Sequence, residues 1–207
     1  MGRRGFRRLA QAAGMVVLVG MQVDGKTTRR PADVILYVDG LVLPPVVVGQ
    51  GSRLTVNRMY AGLGIALAWH DGPRKSGGES GGAVAVQICF TSDTRSASPN
   101  ALAFALPYAS GVKTITVIYP RIHVIAGGNR MLELSLLAHV LAHEIGHVLQ
   151  GATMHSDTGV MRTEWRDIDY RAMVRKPLDF TPEDAAAIVR GLTAWKLSAD
   201  KKRGSAR

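Results

Sequence analysis

The stretch that most constrains the fold runs from Met131 to Gln150. Its apolar side chains recur at three- and four-residue steps, which predicts a long helix with a stripe that packs against a sheet. Gly151 follows directly and predicts the end of this helix. The stripe consists of Leu134, Leu137, Leu141, Ile145 and Val148. A domain with this helix at its centre needs a sheet to cover the stripe.

Runs rich in β-branched residues predict that sheet. The predicted strands are 33–39, 65–70, 83–90 and 113–120. Residues 83–90, AVAVQICF, are apolar enough to be buried on both faces. Residues 101–108 fit a strand or a helix, and Pro107 would place a strand there at the sheet edge.

Two further helices complete the predicted layout. Residues 52–64 have helical spacing with Ser52 as a cap, and the polar, glycine-rich residues 72–82 are predicted as a loop. The last helix is predicted to begin with Thr181 as its N-cap and Pro182 at its first position. This order of elements predicts an α+β fold, in which a mixed, twisted sheet is backed by two long helices.

The formal charge of +10 lies mostly at the two ends of the chain. Residues 1–33 carry seven Arg and Lys against two Asp, or +5, and residues 196–207 carry five against one, or +4. The remaining middle is +1, so we expect no nucleic-acid partner. The predicted organisation is a basic leader at 1–32, one domain at 33–197 and a basic disordered tail at 198–207.

The leader has a basic opening and then a patchy apolar segment from Leu9 to Met21. This is the layout of a secretory signal or of a single N-terminal membrane anchor. The favoured prediction is a secreted or cell-envelope protein, with a cytoplasmic location as the alternative.

Cys89 is the single cysteine and lies within the apolar run AVAVQICF. No charged neighbour along the chain would favour a thiolate. We therefore predict a buried core thiol rather than a nucleophile, and one cysteine excludes an internal disulfide.

Four of the six histidines fall in LLAHVLAHEIGHVLQGATMHSDTGVM, residues 136–161. His143 and His147 are four positions apart, so on a helix they lie about 6 Å apart along the axis and can converge on one ion. Glu144 lies about 100° around the helix, beside that ion. Neutral imidazoles suit Zn²⁺, and a nearby carboxylate can take a proton from zinc-activated water. The H-E-x-x-H spacing therefore predicts one Zn²⁺ with Glu144 as general base.

The residue pattern leaves three candidates for the third ligand. His155 stands in an HS…GVM context that favours it, and Glu164, 17 residues after His147, is the competing candidate. Asp157 is the weakest candidate, because HSDTGVM is typical of a turn. His139 extends the helical row, but we expect it to be a core histidine or one that supports a ligand.

The stretch HEIGHVLQGATMHSDTGVM resembles the metzincin zinc endopeptidases, and most closely the matrixin-like bacterial branch. The shared features are the H-E-x-x-H helix, a glycine that ends it, a third histidine and a methionine turn. The resemblance implies His143, His147 and His155 as zinc ligands, Glu144 as general base and Met161 as the methionine beneath the metal. Seven residues separate the second and third histidines where the family usually has five, so the return loop is longer.

The resemblance extends to neighbouring segments. NALAFALPYASGVKTITVIY is similar to the matrixin edge strand and the strand after it, and DFTPEDAAAIVRGL is similar to the C-terminal helix. This implies that an extended peptide would lie along Ala101–Pro107 by strand addition. Phe104 stands where matrixins often place a histidine for a structural zinc, so we expect no second zinc.

The expected function is that of a zinc metallopeptidase acting on peptide or protein substrates. The alternative is a catalytically silent zinc-binding domain that serves as an interaction module. Glu144 counts against the alternative, because a purely structural site needs no general base. A structural zinc also normally has four protein ligands, and cysteine cannot supply the fourth. Trp165 and Tyr170 are assigned to packing or to the surface.

Overall fold

The computed structural model describes residues 31–75, 82–95, 97–107 and 112–204. The predicted leader lies outside this part of the chain apart from its last two residues, and so do residues 76–81 of the predicted loop. The described residues form a mixed sheet and five helices, which confirms the α+β class.

The sheet has the order β2-β1-β3-β5-β4. Its strands are β1 (Val34–Gly40), β2 (Leu67–Asp71), β3 (Val84–Thr91), β4 (Ala103–Ala105) and β5 (Lys113–Ile118). All neighbours pair in parallel except β4, which runs antiparallel to β5 at one edge. The segment that fitted either a strand or a helix is therefore an edge strand, the position that Pro107 favoured.

One long helix occupies the centre of the helical layer. The helices are α1 (Val46–Ala61), α2 (Tyr119–Ala126), α3 (Arg130–Gln150), α4 (Asp167–Arg175) and α5 (Pro182–Gly204). Helix α3 packs against the other four helices and against β4. Because neighbours surround it, α3 is buried on nearly all sides from Ser135 to Leu149, well beyond its predicted apolar stripe.

The prediction that residues 83–90 are buried on both faces is wrong. Burial alternates along β3: Val84, Val86, Ile88 and Phe90 are buried and the side chains between them are half-buried. Cys89 belongs to the second set, so it is a half-buried thiol and not a core one. Burial still raises the pKa of Cys89, and the charge of Asp39 raises it further, so the thiol stays protonated.

Helix α1 begins at Val46, well before the predicted cap at Ser52. The β-branched and glycine-containing start of α1 has low intrinsic helix propensity, which is why the sequence prediction missed it. Tertiary contacts with α3 compensate. The Ser52 hydroxyl lies inside α1 at 2.7 Å from the Val48 carbonyl oxygen and 2.9 Å from that of Leu134, which ties the two helices together.

Two short helices lie where the sequence did not predict a helix. One begins at the end of a predicted strand, and the other lies in a segment for which no element was predicted. Residues 119 and 120 begin α2 and do not extend β5, because Pro120 suits the first turn of a helix, where its missing N–H costs nothing. Helix α4 lies in a segment that the sequence left irregular.

The last helix begins as predicted and ends later. The Thr181 hydroxyl accepts a hydrogen bond from the Asp184 N–H at 3.1 Å, as expected of an N-cap. Helix α5 continues to Gly204, so the predicted disordered tail is wrong for residues 198–204. Alanine, lysine and arginine in this stretch favour continuation of the helix.

No helix in the described ranges is long and apolar enough to cross a bilayer. The apolar segment from Leu9 to Met21, which carried the prediction of a signal or anchor, lies outside those ranges.

Helices α3 and α5 approach each other closely at Gly191. A Cβ atom there would overlap the carbonyl oxygen of Leu149 and lie 3.0 Å from its carbonyl carbon. We expect Gly191→Ala to lower the free energy of unfolding by about 1–3 kcal/mol, because the helices must move apart. Urea unfolding measures this. Gly204→Ala in the same helix is the control, since nothing lies within 4 Å of a Cβ there; equal midpoints for both variants would contradict the close approach.

Candidate metal centre

Three histidines come together where α3 ends. His143 and His147 lie on successive turns of α3, and His155 lies in the segment that follows the helix. One ring nitrogen from each lies within 4.8 Å of the others, and the ring centroids are 4.5–5.2 Å apart. The structure thus brings together the three histidines that the sequence singled out, close enough to hold one metal ion.

The hydrogen bonds of the two helical histidines determine which nitrogens are free. His143 Nδ1 lies 2.9 Å from the Val160 carbonyl oxygen, and His147 Nδ1 lies 3.1 Å from that of Ala152. A carbonyl only accepts, so each Nδ1 carries the proton and each Nε2 presents a lone pair. Burial lowers the pKa of both rings to about 4, which keeps them neutral at physiological pH.

The two free lone pairs converge. His143 Nε2 and His147 Nε2 are 2.9 Å apart, and two acceptors cannot form a hydrogen bond with each other. Their repulsion in a buried place would be relieved by a cation that both nitrogens bind. This donor set, neutral imidazole nitrogens supported by backbone carbonyls, fits Zn²⁺.

The start of α5 positions the segment that carries His155. His155 is exposed, but the N–H of Ser156 donates to the Met161 carbonyl oxygen at 2.9 Å and the Ser156 hydroxyl donates to Asp184 at 2.6 Å. Asp184 is buried and also accepts from the N–H of Thr181 at 3.2 Å. Asp184 thus bonds the cap of its own helix and also the segment that carries His155, and the second contact depends on the tertiary fold.

Met161 is fully buried beneath α3. A Cβ atom at Gly146 would lie 2.7 Å from the Met161 sulfur, so only glycine lets the methionine pack this closely against the helix backbone. Gly146 lies between the two helical histidines in sequence. Met161 therefore packs against α3 at the position between the two helical histidines.

Glu144 places a buried carboxyl group beside these rings. Burial raises the pKa of Glu144 to about 7, and a backbone hydrogen bond from Ala105 in β4 opposes this shift. A carboxyl group with a pKa near neutrality can both accept and release a proton. The contact with Ala105 also places Glu144 on the side of α3 that faces the edge strand.

A cleft of about 1010 Å³ opens over the site. The residues that line it include the edge strand β4, residues 162–165 and Tyr170. The site residues that line it are His143, Glu144, His147 and His155. The candidate metal centre is thus open to a ligand as large as a peptide.

The other candidate ligands lie outside the histidine group. His139 is fully buried; its Nδ1 donates to the Ser135 carbonyl oxygen at 2.6 Å and its Nε2 accepts from the Leu178 N–H at 2.9 Å, which confirms a core histidine. Glu164 and Asp157 are exposed. Neither contributes a carboxylate oxygen to the group of ligand atoms that the three histidines form. Glu164 instead lines the cleft.

In comparisons with known proteins, the chain matched no family model, no curated protein and no solved structure. The metzincin resemblance therefore rests on the quoted motifs, and the geometry of this site is the basis for inferring a function.

Proposed function

We propose that the chain is a zinc-dependent endopeptidase of the metzincin, matrixin-like type. The observation that carries this proposal is the close approach of two unprotonated nitrogens. His143 Nε2 and His147 Nε2 are 2.9 Å apart, and a ring nitrogen of His155 lies close by. Three histidines without a fourth protein ligand are typical of catalytic zinc sites, whereas structural sites normally have four. His143, His147 and His155 would hold the ion.

Zn²⁺ bound here would supply Lewis acidity, which lowers the pKa of water to about 7 and polarises a carbonyl group. Glu144 would accept the proton of the attacking water and transfer it to the leaving amine. Its burial suits this role, because the raised pKa makes the carboxylate a stronger base than an exposed one, and a value near neutrality still lets it release the proton. The backbone hydrogen bond from Ala105 would hold the carboxylate in position.

The edge strand would orient the substrate. Strand β4 pairs with β5 on one side only, and its other side lies along the cleft. An extended peptide can add to such an edge through main-chain hydrogen bonds. Because β4 and the three histidines line the same cleft, a peptide bound along this strand would lie beside the candidate metal centre.

A mixed peptide library separates a peptidase from a silent zinc-binding domain. We expect zinc-loaded protein to cut peptides, a chelator to stop cleavage and added Zn²⁺ to restore it. His147→Ala, purified in parallel, controls for contaminating proteases. Mass spectrometry of the products identifies the cut sites. Absence of cleavage, or cleavage that a chelator does not affect, would contradict the proposal.

A further inference from the structure

Residues 162–165, which line the cleft, include a carboxylate that has no role in the proposed hydrolysis. Glu164 is exposed and lines the cleft. Within the described ranges, no lysine or arginine forms an ion pair with it. The nearby Arg162 is already paired, with its guanidinium 3.0 Å from Asp169. The negative charge of Glu164 is therefore available to a ligand.

Two aromatic side chains line the cleft beside this carboxylate. Trp165 packs edge-on against His143, with ring centroids 5.7 Å apart, and its indole N–H donates to the Gly159 carbonyl oxygen at 3.3 Å. These contacts hold the ring next to the metal centre. Tyr170 is half-buried and also lines the cleft. Burial raises the pKa of Tyr170, and the charges of Asp167, Asp169 and, to a smaller extent, Glu164 raise it further.

A positively charged side chain also lines the cleft, near β4. The Arg121 guanidinium donates to the carbonyl oxygens of Ser98 at 2.8 Å and Ala101 at 2.5 Å, and thereby holds the segment that leads into β4. The cleft thus carries a positive charge near β4 and a negative charge at Glu164. A ligand in the cleft would meet an acidic, aromatic surface at residues 162–165.

We propose that Glu164, Trp165 and Tyr170 form a subsite for a lysine or arginine side chain of the substrate, next to the scissile bond. This inference rests on the proposed peptidase function of the same cleft. The carboxylate attracts the cationic head, and the aromatic rings accommodate both the cation and its aliphatic stem. Because Trp165 contacts His143, the bound side chain belongs to a residue that flanks the metal centre.

Peptide binding tests this subsite without requiring turnover. Fluorescent peptides that differ only in lysine, norleucine or glutamate at the positions flanking one bond are titrated into zinc-loaded Glu144→Gln protein, and fluorescence anisotropy gives each Kd. We expect the lysine peptide to bind about tenfold more tightly than the norleucine peptide. This preference should become smaller at high salt, because salt screens the charge of Glu164. Adding Glu164→Gln should reduce this ratio to about one, and Glu164→Lys should favour the glutamate peptide.

The matched control is Glu183→Gln, which changes an exposed acidic residue at the start of α5. It should leave the ratio of the two Kd values unchanged. Equal binding of the lysine and norleucine peptides, or a lysine preference that persists in Glu164→Gln, would overturn the subsite. The same peptides are then given to the protein with Glu144 intact. A lysine preference in binding without any cleavage would keep the subsite and contradict the peptidase proposal.

Discussion

Replacing Glu144 by glutamine is expected to reduce peptide hydrolysis by about 10²–10⁴-fold, the usual contribution of a general base. Glutamine preserves the size of the side chain and its contact with Ala105 but cannot take a proton from water. The histidine group is unchanged, so the variant should bind Zn²⁺ as tightly as the parent protein. Steady-state kcat/KM on a cleaved library peptide measures the first effect, and metal content after dialysis measures the second.

Glu183→Gln is the control, because it makes the same chemical change at an exposed residue outside the candidate site. It should retain both activity and zinc. A Glu144→Gln protein that hydrolyses peptides at the parental rate would exclude Glu144 as the base. A variant that loses zinc would instead show that the carboxylate helps to hold the metal.

Removing the His155 ring is expected to weaken zinc binding by more than about 100-fold. Residues that merely support a ligand change metal affinity by 10–100-fold when they are altered, so loss of a ligand should exceed that range. Glu164→Ala should leave zinc affinity unchanged, because Glu164 lies outside the group of converging nitrogens. Competition with a chromophoric chelator gives both affinities.

Circular dichroism of each apo variant shows whether the fold is retained, so that a loss of affinity can be assigned to the ligand. His155 is exposed and its ring is not part of the core, so His155→Ala should fold normally. Unchanged zinc affinity in His155→Ala together with a large loss in Glu164→Ala would show that Glu164, and not His155, is the third ligand.

The structure agrees with the sequence where a local pattern dictates the conformation. The start of α5 follows from a cap at Thr181 and a proline at its first position, and the end of α3 follows from Gly151. Predictions failed where packing outweighs local preference. The start of α1 has low helix propensity but is held against α3, and β3 looks fully buried by composition although one of its faces is only half-buried.

In the candidate site too, some residues follow from a local pattern and others depend on packing. The spacing of His143, Glu144 and His147 within one helix was enough to place two imidazoles and a carboxylate together, because a helix repeats every 3.6 residues. No such rule governs His155, Asp157 and Glu164, since the path of the chain beyond Gly151 depends on contacts between distant segments. The hydrogen bond between Ser156 and Asp184 brings His155 back to the helix and leaves Glu164 on the cleft wall. Helical periodicity thus specified three of the four residues of the candidate site, and long-range packing selected the fourth.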